Sequence, residues 1–409
     1  MVDIVVIGAG AAGIAAGRRL ARSGVSFRLI EARDRIGGRA FTRIDPLGGP
    51  LDLGCGWLHS ADDNPWVDVV EREGGEVMRG PTPWTRPLLE RGFALEDQLR
   101  YRAASEALRE RLEAQPATGP DRPLADFLDP ASRWNGLLSA VSTYVSGAEP
   151  ERVSARDLLA YRDTGENWRV AGGYGAAIAR HGATLPVTLS CPATAVDHSG
   201  ARLRVETPRG AIEAAAVVVC LPSALIAEGT IAFRPELPDK REAAVGLPLG
   251  LADKLYFALD HAEEFAPESR AFGRTDRAAT AAYHFRPLGR PIVEAYFGGA
   301  CAAGLERGGE AAFAAFARDE LAGLFGADFP KRLTALPTHL WASDPFARGS
   351  YSCAAPGRAA DRAWLAAPVE GRVFFAGEAC SERDYSTAHG AYRTGVAAAE
   401  AALAALAKR

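Results

Sequence analysis

A glycine-rich turn directly after a short apolar strand constrains the fold of this chain more than any other feature. Residues 2–7 (VDIVVI) are predicted to form the strand, and Gly8, Gly10 and Gly13 follow in the spacing GxGxxG. The first glycine permits the tight turn into a helix, the second lets a pyrophosphate approach the backbone, and the third allows the helix to pack closely on the sheet. The motif therefore predicts a dinucleotide site at the N-terminus of the first helix.

An acidic residue at the end of the second predicted strand supports this interpretation. Glu31 lies 18 residues after Gly13, close to the position of a carboxylate that accepts hydrogen bonds from an adenosine ribose. Strand, helix and acidic residue together favour a doubly wound α/β nucleotide domain over a turn that is merely rich in glycine.

Length and composition limit the remaining possibilities. The 409 residues exceed the ~250–300 residues of a single hydrophobic core, so we expect two domains. A formal net charge of -4 gives no electrostatic reason to expect nucleic acid or an anionic membrane as a partner. No apolar run reaches the ~18 residues of a membrane span, and a strand that begins at residue 2 leaves no room for a signal peptide. The expected location is cytoplasmic.

The cysteines give no sign of a metal site or a disulfide framework. They are scattered, with no CxxC pair and no cluster with histidine at metal-ligand spacing. We therefore expect reduced thiols and no bound metal. The six residues are Cys55, Cys191, Cys220, Cys301, Cys353 and Cys380.

The order of predicted elements divides the chain into two domains, each built from separate segments. Residues 1–78 read as strand, helix, strand and a glycine-punctuated loop, and related patterns return in residues 163–232 and 340–409. These segments are predicted to form the doubly wound domain. Residues 79–162 are polar and helical, and residues 233–339 contain predicted strands and a helix. They predict an inserted α+β substrate domain with a mixed sheet plus helices.

Four further segments resemble one known family in sequence and in order. They are EARDRIGGR at 31–39, DLGCGWLH at 52–59, WASDPFARGSY at 341–351 and FAGEACSERDYSTAHGAYRTG at 375–395. Together they resemble the flavin-containing amine oxidases, which include monoamine, polyamine and spermine oxidases and the histone lysine demethylases. The resemblance implies a Rossmann-like FAD-binding domain with an inserted substrate domain, and it implies FAD rather than NAD.

The resemblance also assigns residues to the cofactor. Arg39, beside two glycines, is expected to reach the pyrophosphate in a bidentate manner, the alternative being a solvated loop arginine. Glu378, next to Gly377, is expected at the phosphate and ribityl region, unless it only caps the following loop. The backbone N–H of Ala388, which begins the last predicted helix, should face the pyrimidine end of the isoalloxazine. The other assigned residues are Arg33, Gly38, Gly54, Gly56, Trp57 and, for backbone contacts to adenine, Ala193.

Lys254 is the principal catalytic candidate. The chain has only four lysines against 43 arginines, and Lys254 directly precedes the apolar residues 255–259. In the flavin-containing amine oxidases, which this chain resembles, a lysine at this position holds a water molecule on flavin N5. This role suits an amine because its pKa can shift. The alternative is a lysine at the strand edge whose ammonium reaches solvent.

Three further residues are candidates for the substrate site. His59 is a candidate polar anchor for a second substrate nitrogen, or else a structural histidine bonded to a loop carbonyl. Tyr351 matches one wall of the family's aromatic cage, whereas Thr387 stands where monoamine oxidases have the second tyrosine. Tyr385, Trp168 and Tyr392 are the residues that could replace it.

The predicted reaction is FAD-dependent oxidation of a primary or secondary amine, such as a polyamine. Hydride transfer from the amine to flavin N5 gives an imine and then an aldehyde, and O2 reoxidises the flavin to release H2O2. Because Ser350 occupies the position of the cysteine that tethers FAD in monoamine oxidases, noncovalent FAD is expected. The alternatives are an L-amino-acid oxidase, a flavin desaturase or dehydrogenase that acts on a nonamine substrate, and a scaffold in which FAD is structural. The sequence makes no prediction about the oligomeric state.

Overall fold

The computed structural model describes residues 1–116 and 118–408. Its strands, in chain order, are β1 (Val2–Ile7), β2 (Phe27–Ile30), β3 (Thr42–Asp45), β4 (Gly49–Asp52), β5 (Leu58–His59), β6 (Val77–Met78), β7 (Asn167–Val170), β8 (Val187–Thr188), β9 (Ala195–Asp197), β10 (Leu203–Glu206), β11 (Ile212–Val219), β12 (Ala232–Arg234), β13 (Leu249–Gly250), β14 (Ala252–Leu259), β15 (Ser269–Phe272), β16 (Ala282–Phe285), β17 (Ile292–Gly298), β18 (Leu333–Ala335), β19 (Tyr351–Ser352) and β20 (Val373–Phe375).

The α-helices lie between these strands and on both faces of the larger sheet. They are α1 (Ala11–Leu20), α2 (Pro65–Arg72), α3 (Leu95–Glu113), α4 (Asn135–Ser146), α5 (Ala155–Ala160), α6 (Tyr174–Gly182), α7 (Ser223–Ala227), α8 (Pro238–Val245), α9 (Gly299–Glu306), α10 (Gly309–Phe325), α11 (Asp361–Ala366) and α12 (Ala388–Ala407).

The larger sheet has eight strands and carries the glycine-rich turn. Its order is β12-β9-β10-β11-β1-β2-β8, with β20 also paired to β11. Strand β1 lies parallel to both β11 and β2, and β11 pairs with antiparallel β10 through its first residues and with parallel β20 through its last three. The apolar residues of β1 and β11 are buried because helices cover both faces. The predicted doubly wound α/β architecture is confirmed.

Helices α1 and α12 pack closely against each other on one face of this sheet. The contact depends on small residues, since a Cβ built on Gly395 would lie 2.1 Å from the carbonyl oxygen of Ala12. Gly13 is equally constrained, because its Cβ would lie 1.8 Å from the carbonyl oxygen of Gly8. The start of α1 is therefore fixed between the first turn of the sheet and the last helix.

A second, antiparallel sheet of five strands has the order β15-β16-β17-β14-β18. Alternate residues of its strands, such as Leu255, Phe257 and Phe297, enter an apolar core beneath α10. The other face includes Lys254, which is paired with Tyr296 in the register of β14 and β17. This period of two gives the sheet one apolar face and one face that carries polar side chains.

Three predicted features of the fold require correction. Residues 42–52, predicted as part of a loop, contain the β3–β4 hairpin, in which the Asp45 side chain accepts hydrogen bonds from the N–H groups of Leu47 and Gly48. Strands β15 and β18 were not predicted. Both are short and become strands through pairing with distant segments rather than through a local pattern.

Among the described residues, no helix is both long enough and apolar enough to cross a membrane.

Candidate active site

One cavity of about 810 Å³ extends from the glycine-rich turn to the polar face of the five-stranded sheet. Gly13 does not line it, because it packs under the turn, but every other residue assigned from the sequence does. These are Gly8, Gly10, Glu31, Arg33, Gly38, Arg39, Gly54, Gly56, Trp57, His59, Ala193, Lys254, Tyr351, Gly377, Glu378, Thr387 and Ala388.

The glycine-rich turn leaves space for a ligand at one position. Gly8 has φ +96°, and a Cβ on it would lie 2.7 Å from the carbonyl oxygen of Cys220, so this residue is fixed by the fold. At Gly10 the nearest atom to a Cβ would be 3.9 Å away, on Gly38. Gly10 is also the N-cap of α1 and provides no side chain to cap it. The helix N-terminus is therefore accessible to an anion.

The Glu31 carboxylate is held rigidly beside this turn. It is buried and accepts hydrogen bonds from the N–H groups of Ala9 at 2.7 Å and Arg33 at 2.9 Å. The Arg33 guanidinium is paired in turn with Asp344 at 2.8 Å. Because each carboxylate oxygen has a further lone pair, Glu31 can also accept hydrogen bonds from ribose hydroxyls.

Arg39 and Glu378 form an ion pair at 2.8 Å, and Arg39 also donates to the carbonyl oxygen of Ser350. The second oxygen of Glu378 accepts from the Ser352 hydroxyl at 2.6 Å and the Ser386 N–H at 3.0 Å. Burial alone would raise the pKa of Glu378, but the Arg39 charge and the Ser352 hydrogen bond hold it below its usual range. One Arg39 nitrogen is thus committed to protein partners, and the predicted contact with a pyrophosphate depends on the other two.

Lys254 is buried on β14, and its ammonium lies against the loop after β4. It donates to the carbonyl oxygens of Asp52 at 3.0 Å and Gly54 at 2.8 Å, and it lies 3.7 Å from the Glu294 carboxylate. Since the side chain is only 9% exposed, the alternative of a lysine that reaches solvent is wrong. The ammonium holds the cavity-lining loop on the sheet.

Glu294 is a site residue that the sequence reasoning missed. It lies on β17 and lines the cavity beside Lys254. Burial would raise its pKa, but the charges of Lys254 and Arg169 lower it below the usual range, so Glu294 is ionised. A carboxylate within the apolar segment IVEAYF was the available signal, analogous to the lysine in β14.

His59 is anchored to the neighbouring strand. Its Nδ1 lies 2.6 Å from the Oδ1 of Asn167, the residue opposite it in the pairing of β5 with β7. Burial lowers the pKa of His59, although the Asn167 hydrogen bond opposes this shift. A neutral imidazole that donates from Nδ1 leaves Nε2 as an acceptor, and Nε2 has no partner among the described residues.

The aromatic wall differs from the predicted one. The hydroxyls of Tyr351 and Tyr296 lie 3.0 Å apart, and Tyr351 also donates to the carbonyl oxygen of Tyr144 at 2.6 Å. Thr387 instead caps α12, since its hydroxyl accepts from the Gly390 N–H. Tyr296, which no motif indicated, is thus the aromatic partner of Tyr351.

The residues suggested as replacements for the second tyrosine of the aromatic cage make no ring contact with Tyr351 in the described part of the chain. Tyr385 lines the cavity but donates its hydroxyl to the carbonyl oxygen of Asp157. Trp168 and Tyr392 are not among the residues that line the cavity, and that suggestion is wrong for both. Trp57 does line the cavity. The centroid of its ring lies 4.7 Å from that of Trp84 and 4.0 Å from the guanidinium carbon of Arg169.

Comparison with known proteins identifies the family. Residues 71–403 match the profile described as flavin containing amine oxidoreductase, and residues 6–72 match that of an NAD(P)-binding Rossmann-like domain. The chain belongs to the flavin-containing amine oxidoreductases. It is an FAD-dependent oxidoreductase that acts on an amine, and the alternatives of an L-amino-acid oxidase or a desaturase are not favoured.

Relatives of this amine oxidoreductase match it over nearly its whole length. Polyamine oxidase 4 of Oryza sativa subsp. japonica is 26% identical over 97% of this chain and 88% of its own length. Polyamine oxidase 2 of Arabidopsis thaliana is 29% identical over 97% of this chain and 87% of its own. The solved structure of wild-type putrescine oxidase bound to putrescine matches with a TM-score of 0.79 at 19% identity, covering 98% of this chain and 99% of that one. This last match supports the fold.

The cavity fits FAD. The space at Gly10 and the uncapped N-terminus of α1 suit a pyrophosphate, and the rigid Glu31 carboxylate suits a ribose. At the other end of the cavity, α12 begins with Ala388, whose N–H has no hydrogen-bond partner within the described part of the chain. A donor at a helix N-terminus stabilises negative charge on a bound group.

Proposed function

We propose that this amine oxidoreductase oxidises a primary or secondary amine, a polyamine or another, to an imine that hydrolyses to an aldehyde. O2 is the proposed electron acceptor and H2O2 the second product. The observation that carries the proposal is the single cavity that contains the dinucleotide motif, Lys254 and the Tyr351–Tyr296 pair. The residues that line this cavity would hold FAD, which would supply the acceptor for the hydride equivalent of the amine α carbon.

The side chains around the reacting end would orient the amine and control its protonation. The rings of Tyr351 and Tyr296 form a wall that a cationic or neutral amine can approach. The neutral His59 imidazole, held by Asn167, can accept a hydrogen bond from a substrate nitrogen. Thr387 would act indirectly, because its hydroxyl fixes the start of α12.

Lys254 is the residue we propose to move a proton or hold a water molecule near flavin N5. Two of its three N–H groups are committed to the carbonyl oxygens of Asp52 and Gly54. The third is free to bind a water molecule or to face Glu294, whose negative charge stabilises the ammonium. A buried, oriented ammonium of this kind is suited to proton transfer.

The proposed cofactor contacts follow the cavity from end to end. Gly8, Gly10 and the start of α1 would hold the pyrophosphate, with Arg39 available through its remaining nitrogens. The other proposed contacts are Gly13 (indirectly, through packing), Glu31, Arg33, Gly38, Gly54, Gly56, Trp57, Ala193, Gly377, Glu378 and Ala388.

FAD is proposed to be noncovalently bound. Ser350 stands at the tethering position, and its hydroxyl donates to the carbonyl oxygen of Ala252 at 2.7 Å. Three of the four cysteines that line the cavity are poor nucleophiles, since burial raises the pKa of Cys55 to about 12, that of Cys353 to about 11, and also that of Cys220. A thiol attacks as its thiolate, so none of these three is expected to bond to the cofactor.

We further propose the domain division and the location predicted above. Residues 1–78, 163–232 and 340–409 form the FAD-binding domain, and residues 79–162 and 233–339 form the substrate-binding domain. The two large sheets fall on opposite sides of this division, apart from β12, which joins the first sheet at residues 232–234. Free thiols at all six cysteines support a reducing, cytoplasmic compartment.

Anaerobic reduction of the flavin tests the function. The FAD-loaded enzyme is mixed with polyamines, monoamines and amino acids in turn, and bleaching of the flavin absorbance is followed. We expect an amine to bleach the flavin, and O2 admitted afterwards to restore the colour with one H2O2 released per flavin reoxidised. A protein that takes up no FAD, or a flavin that no amine bleaches, would contradict the proposal.

A further inference from the structure

The cavity wall contains one guanidinium that forms no ion pair with the residues that the structure describes. Arg270 lies on β15 and lines the cavity, and its side chain makes no hydrogen bond or ion pair with any residue that the structure describes. The other arginine and lysine side chains that line the cavity all have partners. These pairs are Arg33 with Asp344, Arg39 with Glu378, and Lys254 with Glu294 and two carbonyl oxygens.

None of the described carboxylates that line the cavity forms an ion pair with Arg270. Asp157 is bound in a bidentate manner by Arg362, and Glu378 and Glu294 are paired as described. Glu31 and Asp163 accept hydrogen bonds from backbone N–H groups. In the strand register His284 stands between Arg270 and Glu294. Both His284 nitrogens are engaged, one with Arg169 and one with Glu268. The positive charge of Arg270 is therefore left for a ligand.

The guanidinium of Arg270 lies beside aromatic residues and has no ion-pair partner among the described residues. The centroid of the Phe272 ring lies 5.9 Å from the guanidinium carbon. Burial lowers the pKa of Arg270, whereas the half-buried Tyr101 and Tyr144 and the Glu294 charge act to raise it. A cation that has lost part of its hydration and gained no counterion is costly to a fold. Its retention in a cavity wall indicates an anionic ligand that binds there.

Aromatic rings connect Arg270 to the reacting end of the cavity. The Tyr296 hydroxyl contacts that of Tyr351, the ring of Tyr144 lies 5.9 Å from Tyr296, and Phe272 is stacked on Tyr144 with centroids 6.5 Å apart. Val141 and Ala282 also line the cavity. An apolar surface of this kind suits a chain of methylene groups between two polar ends.

We propose that the amine substrate carries a carboxylate at the end remote from its amino group, and that Arg270 binds this carboxylate. The inference rests on the proposed amine oxidation and specifies its substrate class. Arg270 and Lys254 lie on strands three places apart in the sheet, and at roughly 4.8 Å per strand these two strands are about 14 Å apart. The carboxylate is therefore several methylenes from the amino carbon, as in an ω-amino carboxylate. In a polyamine the remote ammonium would be repelled by Arg270.

Substrates matched in length test the proposal. The FAD-loaded enzyme is reduced anaerobically by ω-amino carboxylates of four to eight carbons, by n-alkylamines and diamines of the same lengths, and by norleucine as an α-amino acid. We expect the half-saturating concentration of one ω-amino carboxylate to be at least about 10-fold lower than that of the alkylamine of equal length. A preference for the diamine, the alkylamine or norleucine would overturn the proposal.

The variant Arg270→Gln tests whether Arg270 is the residue that binds the substrate carboxylate. It is expected to raise the apparent Kd of the preferred amino carboxylate about 10- to 100-fold more than that of the alkylamine, because a charge-assisted hydrogen bond is lost. Arg274→Gln is the matched control, because Arg274 lies two residues beyond β15 and pairs with Asp276 at the surface. An unchanged ratio of the two Kd values in Arg270→Gln would contradict the assignment.

Binding of hexanoate, which has no amine, separates this inference from the proposed reaction. Calorimetry on the oxidised, FAD-loaded enzyme should detect hexanoate binding that Arg270→Gln abolishes and Arg274→Gln keeps. If no amine reduces the flavin, the proposed function fails, whereas hexanoate binding would still report on the anion site. If amines reduce the flavin but hexanoate does not bind, the carboxylate proposal fails alone.

Discussion

The ammonium of Lys254 lies 2.8 Å from the carbonyl oxygen of Gly54, and this contact joins the two halves of the active site. Lys254 belongs to the five-stranded sheet, and Gly54 to the loop that precedes Trp57 and His59. Gly56 contributes to the same contact, because a Cβ on it would lie 3.1 Å from the Lys254 Nζ. Lys254 therefore holds this loop on the sheet, together with Tyr256 and Trp341, which donate to the carbonyl oxygens of Asp52 and Leu53.

The variant Lys254→Met is expected to slow flavin reduction or reoxidation by at least about 100-fold, the usual contribution of a positioned proton donor or acceptor. Stopped-flow absorbance measures both half-reactions. Lys331→Met is the control, since Lys331 is exposed and forms a surface pair with Asp328. Unaltered rates in both half-reactions would remove the proposed role of Lys254.

Two glycines of the same motif should respond differently to alanine. Gly10→Ala is expected to fold, because its Cβ meets no atom closer than 3.9 Å, but to weaken FAD binding by at least about 10-fold through contact with the pyrophosphate. Gly13→Ala should fail to fold, since its Cβ would lie 1.8 Å from the Gly8 carbonyl oxygen. Circular dichroism measures the fold, and quenching of FAD fluorescence measures the affinity. Equal FAD affinity in Gly10→Ala and the wild type would be inconsistent with a phosphate site there.

Glu294 should contribute stability that depends on pH. Its pKa in the folded protein lies below the unfolded value of about 4.3. Its ionised form therefore stabilises the fold fully above that pH, and the contribution is lost as pH falls through the folded pKa. Glu294→Gln should cost about 3 kcal/mol at pH 7.

Urea unfolding of the wild type and Glu294→Gln between pH 7 and pH 3 measures this difference. The difference between the free energies of unfolding of the two proteins should stay constant down to about pH 4.3 and become smaller below it. Glu400→Gln is the control, because Glu400 forms an exposed pair with Arg19. A difference that becomes larger on acidification would show that the sign of the argument is wrong.

Acid precipitation should release the cofactor. Since Ser350 cannot form the thioether that tethers FAD, yellow FAD is expected in the supernatant after denaturation in trichloroacetic acid. Absorbance spectra of pellet and supernatant measure the distribution. Colour retained on the protein would contradict noncovalent binding, and Cys55 or Cys353 would then be examined by mass spectrometry.

The residues predicted from the sequence are those that belong to local motifs. Glu31, Arg39 and Ala388 could be assigned because the motif fixes their spacing along the chain, and both the doubly wound sheet and the start of the last helix follow from such patterns. Lys254 was identifiable because lysine is rare in this chain and stands beside an apolar strand.

The remaining site residues depend on pairing between distant strands. Tyr296 faces Lys254, and Glu294 faces His284, only because β17 has a particular register with β14 and β16. A shift of one residue would turn these side chains to the other face of the sheet. Arg270 gave no signal at all, since it is one of 43 arginines and differs from the rest only in what surrounds it.

The pairing of β20 with β11, together with the contact between α1 and α12, has a consequence for biosynthesis. The strand and helix that complete the surroundings of the glycine-rich turn, Val373–Phe375 and Ala388–Ala407, follow it far along the chain. Because a polypeptide is made from its N-terminal side, the nucleotide pocket stays incomplete until these two segments have been synthesised. We expect a product truncated before Val373 to be made without the colour of bound flavin.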